Sequence, residues 1–379
     1  MVAGEASADL HGANLVNAIK SLDPGIRFIG IGDKKMAGAG VHIILSSSEL
    51  AVVGLTEVFL KLCGIFRAFF TLRTILKKWN PHLLILLDYP DFNIALAGTA
   101  KRFKVPVLYY ISPQVWAWRK GRIKKIANRV DRMAVILPFE APLYRDSGLE
   151  VDYVGHPLLD TMTKRPNRAE VRRDFGIEDG DPVIGLLPGS RNEEVKNLMP
   201  LMVNAIEKLH SRYPDLKCLL HMAPTISMDL IQPYVDISPV DIKMIEGNVY
   251  LTLAACDLAM VASGTATLET AIMGVPMVIL YRVSRISYWI GKRVIRVPHI
   301  GLVNLVAEDE VVPELIQDDV TPDRLVKEVL DILEGSQTRE NMIKKLKIVT
   351  EKLGQGGASE KTARIALEMM SQAKKQSIK

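Results

Sequence analysis

The sequence predicts an α/β protein built from two doubly wound domains, each with a parallel sheet between layers of helices. Short apolar runs that are continuous rather than alternating recur along the chain, which is typical of strands covered on both faces. Helical patterns separate these runs, as in successive βα units. A length of 379 residues is sufficient for two such domains.

The predicted strands fall into two groups of four. They cover 27–32, 83–87, 105–111 and 133–137, and then 183–187, 217–222, 257–261 and 276–280. The polar segment 163–182, which is rich in Pro and Gly, predicts a linker between the groups. We therefore expect an N-terminal domain over 1–165, a C-terminal domain over 166–345, and final helices over 346–379 whose pattern hints at a return to the first domain. Because ligands of such sheets bind at the carboxyl ends of the strands, the two domains are expected to face each other across a cleft.

The composition is that of a globular protein, with 48% hydrophobic and 24% charged residues. A net charge of +5 fits anionic ligands or an anionic membrane surface. Three widely spaced cysteines, Cys63, Cys218 and Cys256, favour a reducing compartment and neither a disulfide framework nor a cysteine metal site. No leader-like start and no apolar run of about 20 residues is seen, so a cytoplasmic chain, soluble or peripherally attached to a membrane, is expected.

The stretch "LLPGSRNEE", residues 186–194, follows a predicted strand and precedes a long helical pattern. It matches neither the P-loop nor the dinucleotide-binding fingerprint. Gly189 would let the backbone approach a ligand, Ser190 can cap the helix, and Arg191 offers a charged donor fork suited to phosphate. The alternative is an ordinary strand-to-helix turn with a surface arginine.

A second turn in the same domain has similar chemistry. After a strand that ends at Ala262, small residues open the next helix, which is the geometry of an anion site: Ser263, Gly264, Thr265, Ala266 and Thr267. Glu269 follows one turn later and could accept both hydroxyls of a ribose. The alternative is a tightly packed helix start with a surface glutamate. Two such turns together indicate a nucleotide diphosphate.

The first domain offers a candidate base in "LLDYPDFN", residues 86–93. Asp88 stands at the carboxyl end of a predicted buried strand, where a carboxylate is well placed as a general base. Asp91 and Asn93 follow in a turn. The alternative for either acid is that it caps the next helix, and we expect one of them to cap it and the other, Asp88, to face the cleft.

Two further turns are open to more than one interpretation. In "GEASADLHG", residues 4–12, Glu5 and Asp9 could bind sugar hydroxyls, while Ser7 or Asp9 could equally well be a helix cap. His156, in a Gly-His-Pro turn, either lines the cleft or only shapes the turn. No histidine spacing typical of a metal site is present.

The segment 59–79 is apolar, aromatic and basic. It contains Phe59, Lys61, Phe66, Arg67, Phe69, Phe70, Arg73, Lys77, Lys78 and Trp79. One interpretation is a helix that rests on an anionic membrane surface or receives acyl chains, and the other is a core helix with basic ends that reach solvent. The segment 287–305 has a similar character in the second domain.

Taken together, the motifs resemble a known family. In chain order they are "AGEASADLHGA", "ELAVVGLTEV", "LLDYPDFN", "ISPQVWAWRKGRIKKI", "LPFE", "YVGHPLLD", "LLPGSRNEEV", "ASGTATLETAIMGVPMVILYR" and "LVNLVA". This ordered set resembles the lipid-A-disaccharide synthases of Gram-negative bacteria, from about residue 2 to about 310 and more loosely to the end.

The resemblance implies a GT-B hexosyltransferase of lipid A and lipopolysaccharide biosynthesis. It implies transfer of 2,3-diacylglucosamine from its UDP derivative to 2,3-diacylglucosamine 1-phosphate (lipid X), with inversion, release of UDP, and no metal or other cofactor. The implied setting is the phospholipid surface of the inner membrane, to which a cytoplasmic enzyme would attach peripherally. No nucleic acid partner is implied, and a homodimer is left open.

The family pattern also implies roles for particular residues. The catalytic pair would be Asp88 and Arg191. The donor-binding residues would be Gly189, Ser190, Arg191, Ser263, Gly264, Thr265, Ala266, Glu269, Tyr281, Arg282 and Asn304. The acceptor side and first loop would comprise Glu5, Ser7, Asp91 and Asn93.

The chain departs from the family pattern at two places. Ala8 stands where the family usually has glycine, and since alanine resists positive φ the first loop is expected to be slightly reshaped. The chain also begins almost directly on that loop, so we expect the family's first strand to be cut to a stub.

Three alternatives are kept. A peptidoglycan UDP-N-acetylglucosamine transferase or a UDP-sugar epimerase would share the second-domain motifs without "DYPDFN" and "SPQVWAWRKGR". A nicotinamide oxidoreductase is disfavoured by the missing dinucleotide fingerprint. A non-catalytic membrane scaffold would neither bind UDP nor need Asp88.

Overall fold

Two parallel sheets organise the protein in the computed structural model. The structure describes residues 1–47, 57–115, 121–162, 165–294 and 297–377. The side chains of 6, 57–63, 290, 294, 376 and 377 are not described. By contacts the chain divides into unit 1, Met1–Thr161 with Leu353–Lys379, and unit 2, Met162–Lys352. Most of the motif at 49–58 and the stretch 116–120 of the "SPQVWAWRKGR" motif lie outside the described residues.

The described part of unit 1 holds one parallel sheet and the helices around it. Its strands are β1 Val2–Ala3, β2 Phe28–Gly32, β3 Val41–Ser46, β4 Leu84–Leu87, β5 Val107–Tyr110, β6 Arg132–Val135 and β7 Glu150–Tyr153. Its helices are α1 Ala6–Leu22, α2 Lys34–Gly38, α3 Glu57–Trp79, α4 Pro90–Arg102, α5 Arg122–Ala127, α6 Glu140–Arg145, α7 Leu158–Thr161 and, at the end of the chain, α17 Ala358–Ser377. The strand order is β3-β2-β1-β4-β5-β6-β7, so the direction of winding reverses between β1 and β4.

The described part of unit 2 repeats this plan. Its strands are β8 Val183–Leu187, β9 Lys217–Met222, β10 Ile242–Glu246, β11 Leu258–Ala262, β12 Met277–Tyr281 and β13 Glu314–Ile316. Its helices are α8 Arg168–Asp174, α9 Asn192–His210, α10 Met228–Asp236, α11 Val249–Ala255, α12 Thr265–Met273, α13 Arg285–Val294, α14 Leu302–Ala307, α15 Pro322–Leu333 and α16 Ser336–Lys352. The order β10-β9-β8-β11-β12-β13 places the reversal between β8 and β11.

This topology confirms the predicted fold class of two doubly wound α/β units. Every residue of β4, β8 and β11 is buried, because helices cover both faces of each sheet. All eight predicted strands are present, displaced by no more than one or two residues at an end.

The return of the chain end to unit 1 has a specific anchor. α17 packs against α1. The Asp160 carboxylate, at the end of α7, accepts hydrogen bonds from the backbone N–H groups of Gly357, Ala358 and Ser359 at 2.6, 3.2 and 2.9 Å. A carboxylate at a helix N-terminus satisfies donors that have no partner within the helix. Asp160 therefore fastens the start of α17 to unit 1.

The segment 163–182, predicted as a linker between the two sheets, contains α8, which begins where the Asn167 side chain accepts from the N–H of Ala169 at 2.9 Å. One detail of the sequence-based account is wrong. Ala8 lies buried in the first turn of α1 and has no positive φ, so the expected reason for a reshaped loop does not apply.

No helix among the described residues is both long and apolar enough to cross a lipid bilayer.

Asp257, immediately before β11, is the electrostatic anchor of unit 2. Its carboxylate accepts from the guanidinium groups of Arg168 at 2.8 Å, Arg172 at 3.3 Å and Arg339 at 3.2 Å. It also accepts from the backbone N–H of Val183 at 3.0 Å. Asp257 therefore ties β11 to β8 and to two helices outside the sheet.

We expect Asp257→Asn to lower the free energy of unfolding of unit 2 by about 2–3 kcal/mol. Breaking a buried ion pair costs about 3–5 kcal/mol, and partial exposure of this cluster reduces that figure. Urea unfolding measures the change. Asp323→Asn, which removes an exposed partner of Lys208, serves as the control and should change stability by less than about 1 kcal/mol. Equal effects of the two substitutions would contradict the anchoring role of Asp257.

Candidate active site

In unit 1 the candidate site lies at the reversal of the sheet. Asp88 directly follows β4, and the first loop, with Gly4 and Glu5, directly follows the neighbouring strand β1. Since the strands are parallel, both turns lie at the carboxyl edge, where doubly wound sheets bind ligands.

The backbone at Asp88 is strained and firmly held. Asp88 and Tyr89 both have a φ of +47°, which is uncommon for residues other than glycine. The Asp88 carbonyl accepts from the Tyr109 hydroxyl at 2.6 Å and from the Asn93 side-chain amide at 2.7 Å. The Tyr89 ring occupies the space where a Cβ on Gly4 would lie, 2.4 Å from one ring carbon. These contacts fix the direction in which the Asp88 side chain leaves the chain.

The electrostatics of Asp88 suit a general base. Burial and the nearby negative charge of Glu5 raise the pKa of Asp88 to about 6, against a smaller opposing effect of the Tyr89 N–H. A carboxylate with such a pKa is ionised at neutral pH and is a stronger base than an ordinary aspartate.

The other predicted residues of unit 1 have more varied surroundings. Glu5 and Ser7 are exposed at the start of α1. Asp91 is exposed and forms an ion pair with Arg122. The expectation that one of the two acids caps α4 is wrong, since the N-cap of α4 is Tyr89. Asn93 is fully buried and supports the backbone of the Asp88 turn.

The contacts of Asp9 and His156 indicate structural roles. The buried Asp9 carboxylate accepts from the N–H groups of Asp33, Lys35 and Met36 at 2.6, 3.0 and 3.2 Å, so it caps α2. His156 is buried, and burial together with its neighbour His11 lowers its pKa to about 3. The neutral His156 ring accepts from the Leu158 N–H at 3.3 Å, which shapes the turn before α7.

In unit 2 the turn after β8 already holds an anion from the chain itself. The Glu194 carboxylate accepts from the N–H of Ser190 at 3.0 Å and from the N–H of Arg191 at 3.2 Å. Gly189 has a φ of +117°, and a Cβ there would lie 2.3 Å from a Glu194 oxygen. The N-cap of α9 is Arg191 and not Ser190 as predicted, because the helix starts one residue later.

Arg191 keeps its guanidinium available to a ligand. Its side chain is 75% exposed, and one nitrogen donates to Glu194 at 3.0 Å. The pKa of Tyr281, at the end of β12, is raised first by burial and then by Glu194, while Arg191 lowers it. Tyr281 therefore lies close enough to this turn to sense both charges.

The turn after β11 lies on the other side of the reversal from the turn after β8. Ser263 donates to the Ile300 carbonyl at 3.1 Å, and Gly264 is the N-cap of α12. Thr265 is exposed and Ala266 half-buried at the first turn of α12, where backbone N–H groups lack partners within the helix. The two turns that the sequence singled out thus meet at one edge of the same sheet.

Glu269, one turn into α12, is half-buried. Burial raises its pKa to about 7, so its charge changes near neutral pH. The position fits a hydrogen-bond acceptor for a neutral polyhydroxyl ligand.

The Asn304 side chain is buried and makes its hydrogen bonds within the protein. Its amide nitrogen donates to the Val312 carbonyl and to Glu314, both at 2.8 Å, and its oxygen accepts from the N–H groups of Val311 and Val312 at 2.8 and 3.1 Å. The four bonds use the full capacity of a primary amide. Asn304 therefore shapes the loop before β13. Arg282, next to Tyr281, is half-buried.

Two residues of this site were not predicted from the sequence. Glu194 stands at the N3 position of α9, where a capping carboxylate is common, but the N-cap is an arginine instead of the usual Ser or Thr. The Glu314 side chain is 7% exposed and accepts from the N–H groups of Ile300 at 2.8 Å and Gly301 at 3.0 Å, so it holds the loop against which Ser263 rests.

Comparisons with known proteins agree with this architecture. The chain is similar to UDP-GlcNAc 2-epimerase from Neisseria meningitidis, crystallised with UDP-GlcNAc, with a TM-score of 0.65 at 13% identity over 97% of this chain and 98% of that one. It is also similar to MurG of Acinetobacter baumannii, with a TM-score of 0.61 at 13% identity over the same shares of the two chains. These likenesses show the fold, that of the GT-B glycosyltransferases and related epimerases.

Sequence relatives are much closer. The chain is 49% identical over 370 residues to the lipid-A-disaccharide synthase of Geobacter sulfurreducens, covering 98% of this chain and 96% of the relative. It is 47% identical over 371 residues to that of Syntrophus aciditrophicus, covering 98% and 97%. The family model described as lipid-A-disaccharide synthetase matches residues 1–369. The chain therefore belongs to the lipid-A-disaccharide synthetase family of glycosyltransferases.

Proposed function

We propose that the chain transfers 2,3-diacylglucosamine from UDP-2,3-diacylglucosamine to the 6-hydroxyl of 2,3-diacylglucosamine 1-phosphate. The products are a β-1,6-linked disaccharide 1-phosphate and UDP. The observation that carries the proposal is the family match over residues 1–369, and the raised pKa of Asp88 at the carboxyl edge of unit 1 supports it.

In the proposed mechanism Asp88 is the base. As the acceptor 6-oxygen forms a bond to the anomeric carbon, its proton passes to the Asp88 carboxylate and the bond from that carbon to the UDP oxygen breaks. Attack opposite the leaving group inverts the anomeric centre. Asn93 and Tyr109 act as positioning residues, since both bind the Asp88 carbonyl.

Unit 2 would bind the donor through its two turns. The Arg191 guanidinium and the N-terminus of α12 supply positive charge for the diphosphate, which gains negative charge as the bond to the sugar breaks. Gly189 and Ser190 shape the turn after β8, and the Glu194 carboxylate lies against the backbone of these two residues. Glu269 accepts hydrogen bonds from the ribose hydroxyls.

The acyl chains of both substrates call for a lipid-facing surface, and we assign it to α3. Phe66, Phe70 and Trp79 are 59%, 54% and 66% exposed, while Arg67 and Arg73 are exposed beside them. The face formed by Phe66, Phe70 and the two arginines suits peripheral contact with the anionic phospholipids of the inner membrane, where the substrates reside, and Trp79 adds an exposed aromatic ring at the helix end. Leu72 and Leu76, on the side of α3 away from Phe66 and Phe70, are buried in the core of unit 1. Trp79 lies on the side of Leu72 and Leu76 and is exposed at the end of the helix, so α3 is a core helix and an exposed surface at once.

The assay that tests the function supplies both lipid substrates to the purified protein in detergent micelles with EDTA present. Mass spectrometry should detect the disaccharide 1-phosphate and UDP. In parallel, UDP-N-acetylglucosamine is supplied with and without a lipid-linked peptidoglycan acceptor. Transfer or epimerisation with that nucleotide sugar, and none with the diacylated pair, would overturn the substrate assignment in favour of another GT-B activity.

Donor binding is expected to depend on pH through Glu269. Its pKa of about 7 means that the accepting carboxylate is lost as the pH falls below neutrality. At pH 8, Glu269→Gln should weaken UDP binding roughly 10- to 100-fold, because hydrogen bonds to a charged group contribute about 1.5–3 kcal/mol. Toward about pH 5.5 the wild-type and variant affinities should converge.

Isothermal titration calorimetry with UDP measures this difference. The ratio of variant to wild-type dissociation constants cancels the ionisation of the UDP phosphate itself. Glu246→Gln, which changes an exposed glutamate of unit 2, is the control and should give a ratio near one throughout. A Glu269→Gln ratio that does not change with pH would rule out this role for the carboxylate.

A further inference from the structure

The helix α13 in unit 2 presents an unusual combination of side chains to solvent. Ile286 is 74% exposed and Trp289 is 61% exposed. Arg285, Lys292 and Arg293 are exposed on the same ten-residue helix. None of these residues belongs to the proposed donor site.

Helical periodicity gathers these five residues on one face, which we call the α13 face. Arg285, Trp289 and Lys292 follow one another at intervals of four and three, which places them in one row. Ile286 and Arg293, seven residues apart, form the adjacent row. The α13 face therefore carries three cations and two large apolar side chains.

The charge of this region is of one sign. Between Glu269 and Glu308 the sequence contains no acidic residue. Within the part of the chain that the structure describes, no carboxylate lies within ion-pair distance of the three cations of the α13 face. The Arg293 guanidinium lies 3.3 Å from the centre of the Trp289 ring, which holds the ring and the charge side by side.

We propose that the α13 face is a second lipid-binding surface, which docks on an anionic phospholipid bilayer independently of α3. A helix of ten residues is about 15 Å long and cannot span a membrane, but aromatic and aliphatic side chains flanked by cations suit the headgroup boundary. The cations match the negative charge of the lipid. The proposal rests on the proposed function, since lipid substrates explain why the donor-binding unit would also need a membrane contact.

Other occupants fit the α13 face less well. The buried core of a protein interface is depleted of charged residues, whereas here three cations lie beside the two apolar residues of one short helix. An acyl chain of the donor would require an enclosed apolar groove, whereas Ile286 and Trp289 are open to solvent.

Vesicle sedimentation of the full chain tests the proposal. Phosphatidylcholine vesicles with and without phosphatidylglycerol are compared. Ile286→Ser combined with Trp289→Ser should lower the partition into anionic vesicles roughly tenfold, because binding scales with the apolar area inserted. Arg285→Glu combined with Lys292→Glu should lower the partition into anionic vesicles by at least a factor of about five for each cation. The partition into vesicles without phosphatidylglycerol should not change.

Two matched controls separate the α13 face from general surface effects. Ile237→Ser changes an isoleucine that is 72% exposed in the same unit, after α10 and beside Asp236. Lys347→Glu reverses an exposed charge on α16. Both controls should keep the wild-type partition. Thermal melting checks that every variant is folded, and Trp289→Phe provides a milder substitution.

A direct readout uses phosphatidylglycerol with brominated acyl chains, which quenches tryptophan fluorescence on contact. Trp289→Phe should remove part of the quenching while sedimentation is largely kept. The proposal would be overturned if both α13 double variants partitioned like the wild type. It would also be overturned if the charge-reversal variant lost as much binding to vesicles without phosphatidylglycerol as to vesicles that contain it. Transfer activity in detergent micelles is measured separately, so failure of the enzymatic assignment would be seen there and not in the vesicle data.

Discussion

Asp88→Asn is expected to lower kcat for disaccharide formation by roughly 10²- to 10⁴-fold, the range by which a positioned general base accelerates proton transfer. The affinity for UDP should stay unchanged, because Asp88 lies in unit 1 and the residues proposed to bind the donor lie in unit 2. Initial rates from mass spectrometry and UDP titrations on the same preparations measure both quantities.

The asparagine substitution removes the base with little change to the backbone. Asp88 has a φ of +47°, and asparagine tolerates this left-handed conformation better than alanine does. The bonds from Asn93 and Tyr109 go to the Asp88 carbonyl, so they are kept in the variant. The change in rate therefore reports the loss of the carboxylate.

Asp146→Asn, which changes an exposed aspartate after α6, is the control for Asp88→Asn and should retain the wild-type rate. A folded Asp88→Asn protein with more than about a tenth of the wild-type kcat would show that Asp88 orients the acceptor without taking its proton.

Arg191→Ala is expected to lower kcat by roughly 10²- to 10³-fold, since removal of a single preorganised donor to a developing charge has effects of this size. Arg191→Lys should recover part of the loss, because it restores the charge without the planar donor fork. The alanine variant also removes the side-chain partner of Glu194. That carboxylate still accepts from backbone N–H groups, so the turn should persist.

The matched control for Arg191 is Arg324→Ala on α15. Arg324 is 53% exposed and pairs with Glu328 one helical turn away, much as Arg191 pairs with Glu194. It should leave both kcat and stability nearly unchanged. If Arg191→Ala weakened UDP binding and kept kcat under saturating donor, Arg191 would act in ground-state binding alone.

Much of the fold could be predicted because buried parallel strands are continuous apolar runs. The strands that were missed are short or half-exposed. β10 reads Ile-Lys-Met-Ile-Glu at the edge of its sheet, and β13 has only three residues. Edge strands of this kind bury few side chains, so their hydrophobic signal is weak.

The candidate site was predictable in position but less so in its internal bonding. The turns after β4, β8 and β11 could be located because each directly follows an apolar run. The saturated amide of Asn304 and the carboxylate of Glu194 in the turn after β8 depend on contacts that spacing alone does not reveal. Sequence patterns find the strand end, whereas packing decides which polar groups remain for a ligand.

The most direct test of the central claim, that Asp88 is the base, is the pH profile of kcat/KM for the acceptor at saturating donor. The acidic limb then reports Asp88 together with Glu269 of the donor complex and the acceptor phosphate, and of these three groups Asp88 is the one expected to respond to Glu5. We expect the limb to have its midpoint near pH 6, the pKa of Asp88. In Glu5→Gln the limb should move to lower pH, because the Glu5 charge raises that pKa and the acceptor phosphate is the same in both assays. A limb that keeps its position in Glu5→Gln, or no limb in the wild type, would contradict the account.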